Sequence, residues 1–390
     1  MMKSYKHAYQ GFFSQHPETL HCAPHSHHYW PDCTRDAQLA YWDDSAKGVD
    51  HKWDIIFGER VPDVQQHLAR LLNHPYPEQF VFASNTHELL YRVFSSFPVT
   101  QPLRVLSTDS EFHSFARQMK RLQERPQFEL VTIPTEPFAT FPERWRLAVE
   151  QGSYEVIFTS QVFYNSGVLA PPLEHWLPAV PDHTLVMIDG YHGCGAIPTD
   201  LSQVAARVFY LAGGYKYLQA GEGCCFMAVP KNCQLRPEYT GWFADFANLA
   251  KPQQAQVAYA NDGMRFAGAT MDFSGLYRLQ AVLHWWQQEG LTVSRMHAYV
   301  QQLQHEFLQI IDELEHPLLR RERLLAPDLA QHGHFLTFKL DHESQVSELA
   351  QQLADTGVAT DYRGDRLRFG FAIYHEAADY QRIKKALRSN

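Results

Sequence analysis

Seven short apolar runs, separated by helix-like stretches, constrain this chain more than any other feature. They fall at 79–83, 103–107, 128–133, 155–159, 184–188, 208–211 and 224–229. Each has strand length and is apolar at successive positions, so both of its faces need cover. A sheet with one solvated side would show alternation instead. These runs suit parallel strands lying between layers of helices, and stretches such as 61–72 supply the helices. The expected class is α/β, with a large domain built on a seven-stranded, mainly parallel sheet.

After Pro230 the pattern changes. A loop-rich section reaches Thr270, and helices are expected over 273–289, stopping at Gly290, and over 293–314. A small α+β unit follows: strand 335–340, helix 344–355, strands 358–362 and 366–370, and a last helix over 377–388. A chain of 390 residues is long for one core, so two domains are expected. Their bounds are 51–290 for the large domain and 291–390 for the small C-terminal one. The first fifty residues read as irregular and aromatic, a segment (1–50) expected to pack on the small domain.

Hydrophobic residues make up 45% and charged residues 20%, a globular balance that excludes a disordered chain. A net charge of -9 without a basic stripe argues against a nucleic-acid partner. No apolar run approaches a membrane span, and residues 1–13 carry Lys, His and Gln where a secretory leader would be apolar. The six cysteines (22, 33, 194, 224, 225 and 233) fit no zinc spacing and read as reduced thiols. His25, His27 and His28 stand too close together for one metal site. The expectation is a cytoplasmic protein with no metal and no membrane association.

Two segments carry chemistry. Val186-Met-Ile-Asp-Gly-Tyr-His-Gly193 runs an apolar strand straight into Asp189, and ligands collect beyond the carboxyl ends of such strands. Phe209-Tyr-Leu-Ala-Gly-Gly-Tyr-Lys-Tyr-Leu218 likewise delivers Lys216 into a loop flanked by glycines. Taken alone, such a pair is more often a turn cap and a solvated lysine.

The wider pattern changes that reading. Asp189-x-x-His192 with Gly195 and Pro198, followed by Tyr215-Lys216-Tyr217-Leu218 and a Gly-x-Gly, resembles kynureninase within the class V aminotransferase superfamily. The resemblance runs from about Trp53 to the C-terminus. It implies the fold type I pyridoxal-phosphate transferase fold and pyridoxal 5'-phosphate as cofactor. Lys216 would then form the Schiff base, and Asp189 would hold the pyridine nitrogen protonated.

The same resemblance assigns further residues. Phe82-Ala-Ser-Asn-Thr-His87 matches the phosphate loop, with Ser84, Asn85 and Thr86 as candidates, although Ser-Asn-Thr before a helix is by itself an ordinary N-cap. In Glu111-Phe-His-Ser114 it makes Phe112 the ring stacked on the cofactor. His192, Tyr215, Trp242 and Thr270 complete the cofactor set, the last from a loop by which one subunit completes its neighbour's site, so a homodimer is implied. Arg368, in Leu367-Arg-Phe-Gly370, would grip the substrate carboxylate through its bidentate fork. His28 and Asn165 are the remaining substrate-side candidates, for a small amino-acid substrate.

Three segments depart from the kynureninase pattern. Phe115 replaces an acid after the stacking ring, Asp245 stands where the Gly-Trp-Phe run is followed by a histidine, and His25-Ser-His-His28 replaces an Asn-Ser-Leu-Gly loop. Absence of any cysteine after Cys233 disfavours a desulfurase. The leading expectation is hydrolytic carbon–carbon cleavage of a kynurenine-type substrate. The alternatives are a class V aminotransferase or another pyridoxal-dependent lyase on a different amino acid, and a non-catalytic binding protein of this fold.

Overall fold

A computed structural model of the chain describes residues 2–249, 252 and 255–388. All seven apolar runs form strands: β1 (Phe80–Ala83), β2 (Leu103–Thr108), β3 (Phe128–Ile133), β4 (Val156–Ser160), β5 (Leu185–Asp189), β6 (Val208–Gly213) and β7 (Cys225–Ala228). They build one sheet in the order β1-β7-β6-β5-β4-β2-β3. β7 runs antiparallel to both β1 and β6, and every other pairing is parallel.

Every residue of β1, β4, β6 and β7 is buried, as the continuous apolar runs require. β3 differs from the expectation. Its residues are only partly covered, with Glu129 and Thr132 exposed; it is one of the two edge strands, and unlike β1 at the other edge it is not packed over on both faces.

Helices cover the sheet because their apolar positions repeat at helical spacing. In α4 (His113–Leu122) the buried residues are Phe115, Met119 and Leu122, and Phe115 stacks on Phe158 of β4 at 3.8 Å between centroids. Such a ring pair adds about 0.5–1.5 kcal/mol beyond the area it removes from water. α3 (Thr86–Phe94) and α5 (Phe141–Gln151) bury Leu89 and Val93, and Trp145 and Val149.

α1 (Cys33–Gly48) corrects the reading of the first fifty residues as irregular. This helix buries only Thr34 and Ala37 and leaves Leu39 and Trp42 exposed, so its sequence shows little periodicity. Contacts with α6 (Ser274–Gln288), itself packed on α2 (Val61–Leu71), hold it in place. α6 ends where Gly290 takes φ +61, which an L side chain rarely adopts, and Thr292 caps α7 (Val293–Leu314) by accepting from Arg295 N–H.

A second hydrophobic core, holding Val300, Phe307, Phe338, Leu353, Phe369 and Ile383, gathers around α7. Its sheet has the order β9-β10-β8, from β8 (Phe335–Lys339), β9 (Asp361–Arg363) and β10 (Arg366–Gly370), all antiparallel. α8 (Glu343–Asp355) and α9 (Gln381–Arg388) cover it. The single strand expected over 358–362 splits: Val358–Ala359 pairs with Leu20–His21 of the N-terminal segment, and β9 pairs with β10. The N-terminal segment therefore touches both cores, since Leu20 and Cys22 join the second while Tyr9 and Tyr29 join the first. Among the described residues no helix is long and apolar enough to cross a membrane.

Candidate active site

Five strand ends meet at one edge of the large sheet. β2, β4, β5 and β6 run parallel, and β1 shares their direction because two antiparallel pairings separate it from β6. Ser160 at the end of β4 is the register partner of Asp189 at the end of β5, and Asp189 in turn partners Leu211 in β6. Lys216 follows three residues after β6, and the 84–86 loop leaves β1 beside them. Local pattern placed each residue at a strand end; the sheet order brings those ends together.

Lys216 is partly buried, and its Nζ donates to the Ser26 carbonyl at 2.8 Å while sitting 4.8 Å from the Tyr215 ring centroid. Burial, with the charge of Arg368 second, pushes its amine down to about 7. The lysine loop is clamped by the N-terminal segment. Tyr9 donates to Gln219 Oε1, and Gly221, at φ +70, lies so close to Trp30 that a Cβ would meet the indole at 2.3 Å.

Asp189 accepts from Tyr191 N–H at 2.8 Å, yet burial still raises its carboxyl to about 6. Among the described residues no cation pairs with it. Behind it stands Glu111, which the sequence reading quoted only as a neighbour of Phe112. It is buried at 4% exposure and accepts from Thr108 Oγ1 at 2.7 Å, Ser160 Oγ at 2.5 Å and Ser160 N–H at 3.2 Å. Burial lifts it to about 8 against those hydrogen bonds, with the charge of Asp189 adding to the rise. An acid placed among the buried ends of three strands was the available signal.

Phe112 caps α4 and leaves 44% of its surface free, with Tyr164 edge-on at 5.4 Å. Thr86, Phe112 and Asp189 line one cavity. Asn85 is the N-cap of α3, accepting from Glu88 N–H at 2.9 Å, and Ser84 precedes it at the mouth of the helix. Asn165 donates to Ser110 Oγ at 3.1 Å and leaves its Oδ1 buried with no hydrogen-bond partner.

On the opposite wall, Arg368 is buried and binds Asp361 Oδ2 and the Tyr164 carbonyl. His25 lies 3.6 Å from Asp361 and stacks on Phe335 at 4.5 Å. His192 reaches the His25 carbonyl at 3.2 Å, and burial holds its imidazole well below its ordinary range. The loop histidine that feels the charges of Lys216 and Arg368 is thus His25. His28 is packed among Tyr9, Tyr217 and Tyr374, with its Nδ1 2.6 Å from the Tyr29 carbonyl. Trp242 and Thr270 meet elsewhere: the indole N–H donates to Thr270 Oγ1 at 3.2 Å on an exposed surface. Among the described residues no hydrogen bond or ring contact joins that pair to Lys216.

The residues present fit pyridoxal phosphate. A buried carboxylate without a cation suits a protonated pyridine nitrogen, and the orphaned Asn165 Oδ1 suits a ring hydroxyl. The N-terminus of α3, whose main-chain N–H groups face this end of the sheet, suits a phosphate.

Comparison with known proteins agrees. The profile of the aminotransferase class-V family matches residues 31–382. The chain belongs to that family. Pyridoxal phosphate is the cofactor that goes with this membership. Isopenicillin N epimerase of Streptomyces clavuligerus is 26% identical over 183 residues, a match that spans 46% of this chain and 46% of the epimerase.

Among solved structures, the cystine C–S lyase C-DES, in complex with its product cysteine persulfide, superposes with a TM-score of 0.80 at 17% identity. That match covers 97% of this chain and 99% of the lyase. Cysteine desulfurase from Thermococcus onnurineus gives 0.78 at 15% identity, over 99% and 97%. These structures share the fold type I transferase architecture with the class-V chain described here.

Proposed function

We propose that this class-V enzyme hydrolyses a carbon–carbon bond in a kynurenine-type amino acid, working through Lys216. The observation that carries the reading is the ring-lined surround of the lysine. His25 stacks on Phe335, Arg368 lies over the same ring at 5.9 Å, and Tyr164 meets Phe112 edge-on. Such walls suit an aryl side chain.

Bound here, pyridoxal phosphate supplies an aldehyde for amines and a ring that stores the electrons of a carbanion. Ser84, Asn85, Thr86 and Tyr215 would hold its phosphate, with Trp242 and Thr270 contributed by a second copy in a homodimer. Phe112 would cover the ring, His192 and Asn165 would border it, and Asp189 would keep the proton on the pyridine nitrogen. Arg368 would take the substrate carboxylate, and His28 would shape the pocket from the aromatic core behind Tyr217. Lys216, with its amine close to neutral at physiological pH, would accept the proton from the substrate α-carbon at Nζ. Water would then add to the side-chain ketone before the bond breaks.

A second reading, transamination or another lyase reaction on a different amino acid, is favoured by the likeness to an epimerase and to a C–S lyase. Desulfuration has less support, because none of the six thiols is exposed and burial raises the pKa of each.

Incubation of the holoenzyme with kynurenine and 3-hydroxykynurenine tests the first reading through anthranilate-type fluorescence. No product at high enzyme concentration would sink it. Conversion of the cofactor to its pyridoxamine form by amino donors would establish the second.

A further inference from the structure

Away from the lysine pocket, two packed helices assemble three ligand-type side chains from distant parts of the chain. Asp63 and His67 stand one turn apart on α2, and His284 projects from α6. His284 Nε2 is 2.8 Å from Asp63 Oδ2, and His67 Nε2 is 3.8 Å from Asp63 Oδ1. The two imidazole centroids are 4.8 Å apart, and one ligand atom from each residue lies within 4.8 Å of the others. A second layer orients the carboxylate: Gln280 donates to Asp63 Oδ2 at 2.7 Å and itself accepts from Arg60 at 3.1 Å.

We propose that Asp63, His67 and His284 form a binding site for a divalent transition-metal ion of the zinc type, stapling α2 to α6. Two imidazoles and one carboxylate suit such an ion, whereas magnesium and calcium prefer all-oxygen shells. Tetrahedral bonds of about 2.0–2.1 Å place ligand atoms about 3.3 Å apart, and the 2.8 Å from His284 to Asp63 Oδ2 and the 3.8 Å from His67 to Asp63 Oδ1 fall on either side of that value.

His67 is the second observation. It is 8% exposed, and no hydrogen bond engages its ring among the described residues. His284 is exposed, which leaves a path for the ion and room for water as the remaining ligand. The staple would tie together two functional segments, since α2 leads into β1 and the 84–86 loop, and α6 follows Thr270.

The test uses the holoenzyme freed of metal by a chelator and titrated with zinc chloride in a calorimeter. One tight equivalent per chain is expected, with a rise in melting temperature. His284→Ala and Asp63→Asn should each weaken that equivalent at least about tenfold, a loss of 1.4 kcal/mol per decade, while the cofactor's visible band stays unchanged. Absence of a tight equivalent, or its survival in both variants, would overturn the proposal and leave the three residues a metal-free polar cluster. X-ray absorption at the zinc edge of the unmutated protein gives an answer even if a variant misfolds. Two imidazole nitrogens in the first shell support the site, and a shell without them refutes it.

Discussion

Arg368 and Asp361 are register partners across the β9–β10 pair, and their side chains form an ion pair whose charges act on Lys216. The arginine is 3% exposed, its second Nη binds the Tyr164 carbonyl, and its Nε is buried without a partner. Burial alone would raise the Asp361 carboxyl, but His25 and the charge of Arg368 outweigh it and hold the group well below the usual carboxylate range. A substrate carboxylate gripped by this guanidinium must share it with a group already in place.

That arrangement makes Arg368→Ala costly twice. The variant leaves Asp361 buried and uncompensated, which costs about 3–5 kcal/mol in a buried pair. Urea unfolding should show this loss, and Asp361→Asn combined with Arg368→Met should recover part of it. In turnover assays the same double variant should still show a sharply lower kcat/KM. Recovery of stability and activity together would mean that the arginine does not hold substrate.

Lys216→Ala should abolish the visible absorption of the holoenzyme and lower turnover by on the order of 10³-fold or more, as expected when the group that carries the proton is removed. Far-ultraviolet circular dichroism should stay unchanged. A variant that keeps the yellow band would place the covalent attachment elsewhere.

The amine of Lys216 titrates near 7, well below the ordinary lysine value. Its neutral form attacks the cofactor aldehyde, so the rate at which apoenzyme recovers its band on adding pyridoxal phosphate should rise through about pH 7 and level off above it. Arg368 depresses this amine, and Arg368→Met should therefore move the midpoint upward. The unfolded chain keeps its proton up to about pH 10.5, so the cost of burying the charged amine is full below about pH 7 and is relieved as pH rises from 7 toward that value, where the fold gains stability. A flat reconstitution profile from pH 6 to 9 would contradict the assignment.

Glu111 has the opposite sign. Its folded-state pKa of about 8 lies above the ordinary 4.5, so between those values the native state keeps a proton that the unfolded chain has lost. Its contribution is fully present below about pH 4.5 and falls as pH rises toward 8. Glu111→Gln, which mimics the neutral acid, should flatten that part of the melting-temperature profile and raise the melting temperature at pH 8. An unchanged profile would show that the residue is ionised in the fold.

Trp242 and Thr270 share a hydrogen bond on an exposed surface, where the indole also meets Trp53 edge-on at 5.9 Å. If a second copy covers them, sedimentation should report a dimer. Trp242→Ala should then weaken cofactor retention, seen as faster loss of the visible band on dialysis. A monomeric holoenzyme with full activity would rule out shared sites.

The strands were legible because burial on both faces leaves a local mark, a run of apolar residues. The positions of Asp189 at the end of one strand and Lys216 in the loop after another were legible as well, although only the family resemblance gave them roles. α1 was not, since a helix that buries only Thr34 and Ala37 has almost no periodicity to read. Glu111 carries no motif of its own beyond its place before Phe112. Among the clustered histidines nothing local distinguishes His25, which faces the charged groups, from His28, which turns into the tyrosine cluster.

By itself the sequence determined the class of fold and the strand ends, because apolar periodicity acts over a few residues, while the cofactor came from the resemblance of its loop motifs to a known family. Only the tertiary structure decided who meets whom. The Ser26 carbonyl reaches Lys216 across 190 positions, and Asp63 reaches His284 across 221. Such pairings depend on the order of strands and the packing of helices, which no local pattern encodes.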